Sequence, residues 1–241
     1  MAKLPPLAKV FDPFKGFWQN AYSEDYDPDT EVAIDGLQSE VMVDYDENLI
    51  PHIFAENDMD LYRVQGYVTA MHRLWQMEFQ VMAAEGRLSE IVGPIALNRD
   101  REMRRKGLGF GAKNKLKYLQ KEDPENLNLM LAYADGVNAY IDQLSPGDLP
   151  LEYKLLDYYP EAWTPYKTLL FLMNMSETLS GDSDLAYTNF RNIFGDEWQD
   201  KLFPDKPEGV VPVITKEDWG FEPLEVKKPG IESLDSTKIT E

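Results

Sequence analysis

The sequence contains no cysteine. That absence removes disulfides, thiol nucleophiles and cysteine-held zinc or iron–sulfur centres. Histidine is nearly missing too, with two in 241 residues. His52 follows Pro51 in a strand-like stretch and His72 lies in a helical one; both read as structural, with nothing nearby to make either a general base. HRLWQ at 72–76 lacks the second histidine of a His-Glu-x-x-His zinc helix. No glycine–serine–glycine elbow of the hydrolase kind is present. No apolar run approaches the roughly 20 residues of a membrane span. The opening MAKLPPLAKVFDPF is not a signal peptide, so the chain is expected to be cytoplasmic or to have lost a targeting segment. Basic side chains are scarce, 24 against 43 acidic, for a formal charge of −19. Such a charge repels nucleic acid and anionic lipid. In so acidic a chain a pair of carboxylates carries little information, and no complete catalytic constellation is visible.

What remains is a globular chain, 43% hydrophobic, read as α+β: mostly helical with a few strands. Residues 1–33 read as an irregular arm, 34–203 as the folded body, and 204–241 as an extended, proline-punctuated tail with a disordered end. Val41-Met42-Val43 and Ile53-Phe54 flank Asp46-Glu47-Asn48 and predict a β-hairpin. Asn57 or Asp58 then caps a long helix with Leu61, Val64, Val68, Met71, Trp75 and Phe79 on one buried face, ended by Gly86 in a left-handed cap. RDREMRRK at 99–106 reads as a solvated helix balanced by nearby acids, and GLGFG at 107–111 as a bend. Asp123-Pro124 starts a helix that buries Leu127, Leu131, Ala134, Val137 and Ile141. Thr164-Pro165 starts another, with apolar positions Leu169, Leu172, Met173 and Met175 and a stop near Gly181. Asp182 or Ser183 opens the next, which reaches Phe194-Gly195.

Four segments carry a resemblance. VMVDYDENLIPHIFAEND is similar to a strand–turn–strand with a Pro-His-Ile step. GYVTAMHRLWQMEFQVMAAEGRLSEIVG shows Gly-Tyr, His-Arg, Gln-Met-Glu and Gly-Arg-Leu-Ser-Glu. LAYADGVNAYID shows Tyr-Ala-x-Gly-x-Asn-Ala-Tyr-Ile, and LPLEYKLLDYYPEAWTPYK shows Leu-Pro-x-Glu followed by Pro-x-x-Trp-x-Pro. In this order and over most of residues 40–195, they resemble the α subunit of the penicillin acylase family of N-terminal-nucleophile amide hydrolases. The arm LPPLAKVFDPFKGFWQNAYSED is similar to a segment near the start of some bacterial members, which implies a periplasmic or exported setting.

The resemblance implies the α-subunit share of a four-layer αββα sandwich. Its partner would be a β subunit cut from the same precursor. The nucleophile, normally a serine, would be the partner's first residue, so this chain is expected to hold no catalytic residue. Two contributions are implied instead. The helix TPYKTLLFLMNMSETLSGDSDLAY would wall the acyl side of the substrate through Met175, Thr178 and Leu179, with Ser176 and Ser180 as rivals in the alignment. The penicillin G enzymes of the family have Met, Arg and Phe at these places. Threonine and leucine put their aromatic preference in doubt and suit a fatty acyl group, as in relatives that cleave acyl-homoserine lactones. Asp184, or Asp182, would give one ligand to a structural calcium ion shared with the β subunit. The substrate is then a small N-acyl amine. The rival from another class is a non-enzymatic, acidic helical binding protein.

Overall fold

The computed structural model describes residues 7–21, 30–181, 183–204 and 209. Asp182, the acidic stretch 24–29 and nearly all of the expected tail lie outside them. The described residues are mostly helical, and one antiparallel hairpin provides their strands. They fall into two units divided between Ser180 and Gly181.

In the arm, a short helix, Leu7–Val10 (α1), is followed by a 3-10 turn at Phe17–Ala21. A buried lysine fastens this segment. Lys154 Nζ donates to the carbonyl of Gly16, to Asn20 Oδ1 and to the carbonyl of Gly147. Burial lowers the pKa of Lys154.

The predicted hairpin forms between Met42–Tyr45 (β1) and Pro51–Phe54 (β2), pairing Met42 with Phe54 and Tyr45 with Pro51. Asp46 closes its turn by accepting from the N–H groups of Asn48 and Ile50. His52 lies 3.5 Å from Asp46, and His72 meets the Tyr45 hydroxyl at 2.9 Å, so both histidines brace the hairpin.

The long helix is Asp58–Glu85 (α2). Asn57 caps it through a bond from the Asp60 N–H, and Gly86 ends it at φ 71°, ψ 50°. Its buried face differs from the expected one. Val64 and Val68 are buried, but Met71 is 39% exposed and the core continues through Ala70, Leu74, Met77, Val81 and Ala84. Arg73, at φ −140°, ψ 15°, kinks the helix, and the buried stripe Tyr67, Ala70, Leu74, Met77, Val81 and Ala84 runs through the kink in steps of three and four.

A short turn, Ser89–Val92 (α3), leads to Leu97–Lys106 (α4) and Leu108–Glu122 (α5). The glycine-rich bend is confined to Gly107, at φ 75°; Leu108 to Gly111 already belong to α5. Basic α4 is balanced as expected, with Lys106 paired to Glu102 and Glu177. Pro124–Gln143 (α6) starts at Asp123, which accepts from the Asn126 N–H. Its buried residues are Ala132, Ala134, Gly136 and Val137; Leu131 is exposed, contrary to expectation, because the face turned to α2 is the one with the smallest side chains. Leu151–Leu156 (α7) and Pro165–Leu179 (α8) complete the unit, α8 capped by Thr164.

Helices α2 and α6 touch backbone to backbone. A Cβ added to Gly66 would sit 2.1 Å from the Tyr133 carbonyl oxygen, and one on Gly136 1.8 Å from that of Arg63. The main core gathers around this crossing, with Leu74, Met77, Val81, Ala112, Val137, Tyr153, Trp163 and Leu170.

In the second unit, Asp184–Phe194 (α9) and Asp196–Leu202 (α10) meet at Gly195. Phe190 packs against Phe194 and Phe203, and Tyr187 against Phe203.

Candidate functional site

Two of the four sequence segments, 66–93 and 149–167, converge on one buried polar cluster. Glu78, on the core face of α2, is 2% exposed. Its Oε2 accepts from the Tyr153 hydroxyl at 2.8 Å and its Oε1 from the Glu161 N–H at 2.7 Å. Burial raises its pKa above the usual carboxylate range, against those two bonds and the nearby Lys167 ammonium at 3.8 Å. Burial and the Glu78 charge likewise raise the Tyr153 phenol. Glu161 sits at the rim. Arg87 Nη2 donates to it at 2.6 Å and Lys167 Nζ lies 3.3 Å from its other oxygen. Arg87, first of all, holds the Glu161 carboxyl down at about 2.

Arg87 also donates to Glu85 and Glu90, so the Gly-Arg-Leu-Ser-Glu corner is an ion-paired joint. Asp100 of α4 completes it, accepting from the N–H groups of Leu88 and Ser89 and from the Ser89 hydroxyl. Burial pushes the Asp100 carboxyl up, and those three donors more than reverse it. Asn138 of α6 both donates to the Trp163 carbonyl and accepts from the Trp163 N–H, fixing the segment before α8. The motifs are thus a scaffold that sets where α8 begins.

The expected acyl-wall residues lie at the other end of α8. Met175, Thr178 and Leu179 follow the three- and four-residue spacing of one helical face. All three are exposed, Leu179 at 83%. Thr178 Oγ1 donates to the Met175 carbonyl, and Ser176 and Ser180 donate back to Leu172 and Ser176 in the same way. Leu172, 52% exposed, extends the apolar surface. Asp184 opens α9 in the second unit, exposed, with no side-chain hydrogen bond or ion pair to another described residue. Among the described residues no group of three or more carboxylates and histidines gathers for a metal. Calcium takes six to eight oxygens, of which the Asp184 carboxylate alone could give at most two.

An apolar groove of about 390 Å³ runs between α2, α6 and α8, lined among others by Tyr62, Met77, Met130, Tyr133, Trp163 and Phe171. Neither this groove nor the Glu78 cluster was apparent in the sequence. One signal was available for Glu78: it occupies a position in step with Leu74 and Val81, where an apolar residue would be expected.

Comparison with known proteins bears on this arrangement. The penicillin amidase family model matches residues 40–234. A penicillin acylase 2 proenzyme from a Pseudomonas species is 36% identical over 60% of this chain, and penicillin G acylase of Escherichia coli is 30% identical over 63%. This chain spans 18% of the length of each of those two proteins. Acyl-homoserine lactone acylase QuiP of Pseudomonas aeruginosa is 29% identical over 89% of this chain, and 25% of that protein is covered. Among solved structures, a chain of the thermostable penicillin G acylase from Alcaligenes faecalis superposes with a TM-score of 0.61 at 23% identity, covering 73% of this chain and 97% of that one. That likeness establishes a shared fold. With the motifs, the fold and a family match across most of its length in agreement, the chain belongs to the penicillin amidase family.

Proposed function

We propose that this chain is the α subunit of an amide hydrolase whose nucleophile lies on a separate β subunit. One observation carries the reading. The chain spans 18% of a penicillin acylase proenzyme, yet the solved penicillin G acylase chain that it matches is covered over 97% of its length. A match of that extent supports reading the chain as one subunit of a two-chain enzyme.

In this reading the partner's N-terminal serine attacks the carbonyl of a linear N-acyl amine. Its own α-amine, titrating at about 7.7–8.0, accepts the hydroxyl proton near neutral pH. Donors on the partner hold the oxyanion; the amine leaves, and water releases the carboxylic acid from the acyl-enzyme. Met175, Thr178 and Leu179 shape the space for the acyl group and keep water from it. A calcium ion, when bound, would join the two chains structurally, with Asp184 giving one carboxylate oxygen. The setting would be the periplasm or another exported compartment. Each relative named above is an acylase, and the free-standing binding protein has no comparable support.

A second reading keeps the chemistry and changes the substrate to acyl-homoserine lactones or other fatty acyl amides. The match to QuiP covers 89% of this chain, against 60% and 63% for the penicillin acylases, and Leu179 offers an aliphatic wall. One experiment addresses both. The native complex is purified, the first residues of the copurifying chain are read, and hydrolysis of phenylacetyl and long-chain acyl amides is compared in competition. A strand-rich partner beginning with Ser, Thr or Cys is expected, together with hydrolysis of at least one amide. Absence of such a chain, or of any amidase activity, overturns the proposal. Preference for the long chain selects the second reading.

A further inference from the structure

We propose that Glu78 and Lys167 are positioning residues for acyl recognition, acting through the placement of α8. The inference rests on the reading above that Met175, Thr178 and Leu179 wall the acyl pocket, and it names what holds that wall in place.

Glu78 is a buried carboxylate with both oxygens engaged, one by the Tyr153 hydroxyl and one by the Glu161 N–H. Lys167, in the first turn of α8, has 10% of its side chain exposed and lies between Glu78 at 3.8 Å and Glu161 at 3.3 Å. Its ammonium also donates to the Glu161 carbonyl. Arg87 fixes Glu161 from the outside. The first turn of α8 is therefore held by the ion pairs of Lys167 with Glu78 of α2 and with Glu161 before α8, and by the Tyr166 hydroxyl donating to Glu85 at the end of α2.

The far end makes fewer charged contacts. There, Ser176, Thr178 and Ser180 bond only to carbonyls of their own helix, and Lys106–Glu177 is a pair at the surface. A helix is a stiff rod, rising about 18 Å between positions 167 and 179. A tilt of about 5° at its base would carry Leu179 through about 1.5 Å, at a rise of about 1.5 Å per residue. Displacements of about 1 Å matter to a site that must align an acyl group with a nucleophile. A buried ion pair contributes little net stability over a well-packed apolar pair, so its consequence here is the direction of the helix.

The test uses the assembled two-chain enzyme with Glu78→Gln, Lys167→Met and, as the direct probe of the wall, Leu179→Phe. Acyl p-nitroanilides of increasing chain length, with the phenylacetyl compound, are compared by kcat and KM. Glu78→Gln and Lys167→Met are expected to change the ratio of kcat/KM between long and short chains by about 10-fold, the change residing in KM. Lys167→Arg should restore much of it. If Leu179→Phe reorders the substrates while the two cluster variants leave the order intact and lower every kcat alike, the positioning role is overturned and the pocket reading stands. If Leu179→Phe leaves the order unchanged, the pocket reading fails and this inference with it. Should the charge variants not assemble, Tyr153→Phe removes one donor to Glu78; it should shift the same ratio in the same direction, and an unchanged ratio overturns the proposal.

Discussion

Gly66 and Gly136 show what a single residue does here. Both are helical, so conformational freedom is not the reason for glycine. The reason is space, because each helix's backbone occupies the place of the other's side chain. Alanine at 136 would gain about 1 kcal/mol in helix propensity. It would also drive a methyl group against the Arg63 carbonyl, and overpacking of this kind costs about 1–3 kcal/mol, more where backbone must move. The clash wins. Gly136→Ala is expected to lower the urea midpoint of the assembled enzyme, and an unchanged or higher midpoint would refute the crossing as drawn. Glu161 gives a second residue-scale expectation. Its pKa is held at about 2 against an ordinary 4.5. A depressed carboxylate stabilises the fold above its unfolded pKa, and that contribution disappears as pH falls from about 4.5 towards 2. Wild type minus Glu161→Gln, measured as the urea midpoint against pH, should therefore be positive at pH 7 and shrink through that window. The side chain is partly exposed, so solvent trims the size without changing the sign. A difference flat with pH would show that the Arg87–Glu161 pair contributes nothing.

At the scale of the element, some of this was legible and some was not, for identifiable reasons. Helices α2, α6 and α8 announce themselves through Asn57, Asp123 and Thr164, whose side chains do cap them. Left-handed Gly86 and Gly107 were legible as punctuation. Helix α5 was not, since glycines in its first turn lower helix propensity and its apolar positions are few. Which face is buried depends on the neighbour rather than on period alone. The buried stripe passes through Ala70 and Leu74, one position away from the expected Met71 and Trp75, and spacing alone does not choose between such neighbouring faces. The apolar spacing of Met175 and Leu179 was legible in the same way, but their exposure was not, because an uncovered apolar face and a core face read alike in sequence. Glu78 was in view as the end of the Gln-Met-Glu motif, but among 43 acidic residues its burial and its bond to Tyr153 were not legible from sequence.

For the whole molecule, two opposing properties decide how the chain behaves alone. Its surface is rich in apolar groups. In the first unit Ile95, Phe110, Leu172, Met175 and Leu179 are exposed, and in the second unit Leu185, Ile193 and Phe194. Such surface invites association. Against it stands a net charge of −19, which keeps even a loosely folded chain in solution and expands it through self-repulsion. The core also includes several small side chains, among them Ala70, Ala84, Ala112, Ala132 and Ala134, whose burial yields little apolar area per residue. Charge therefore opposes precipitation, and the small core side chains oppose a tight native state. The isolated 241-residue chain is expected to be soluble at low salt, helical by far-ultraviolet circular dichroism, weak in its near-ultraviolet signal and strongly bound by anilinonaphthalene sulfonate. Coexpression with the proposed β subunit should abolish the dye binding and restore a cooperative urea transition, since a partner that binds only the native form stabilises it by mass action. A lone chain that unfolds cooperatively as a monomer, with no dye binding, would mean that the exposed apolar residues need no partner, and the two-chain reading would lose its physical basis.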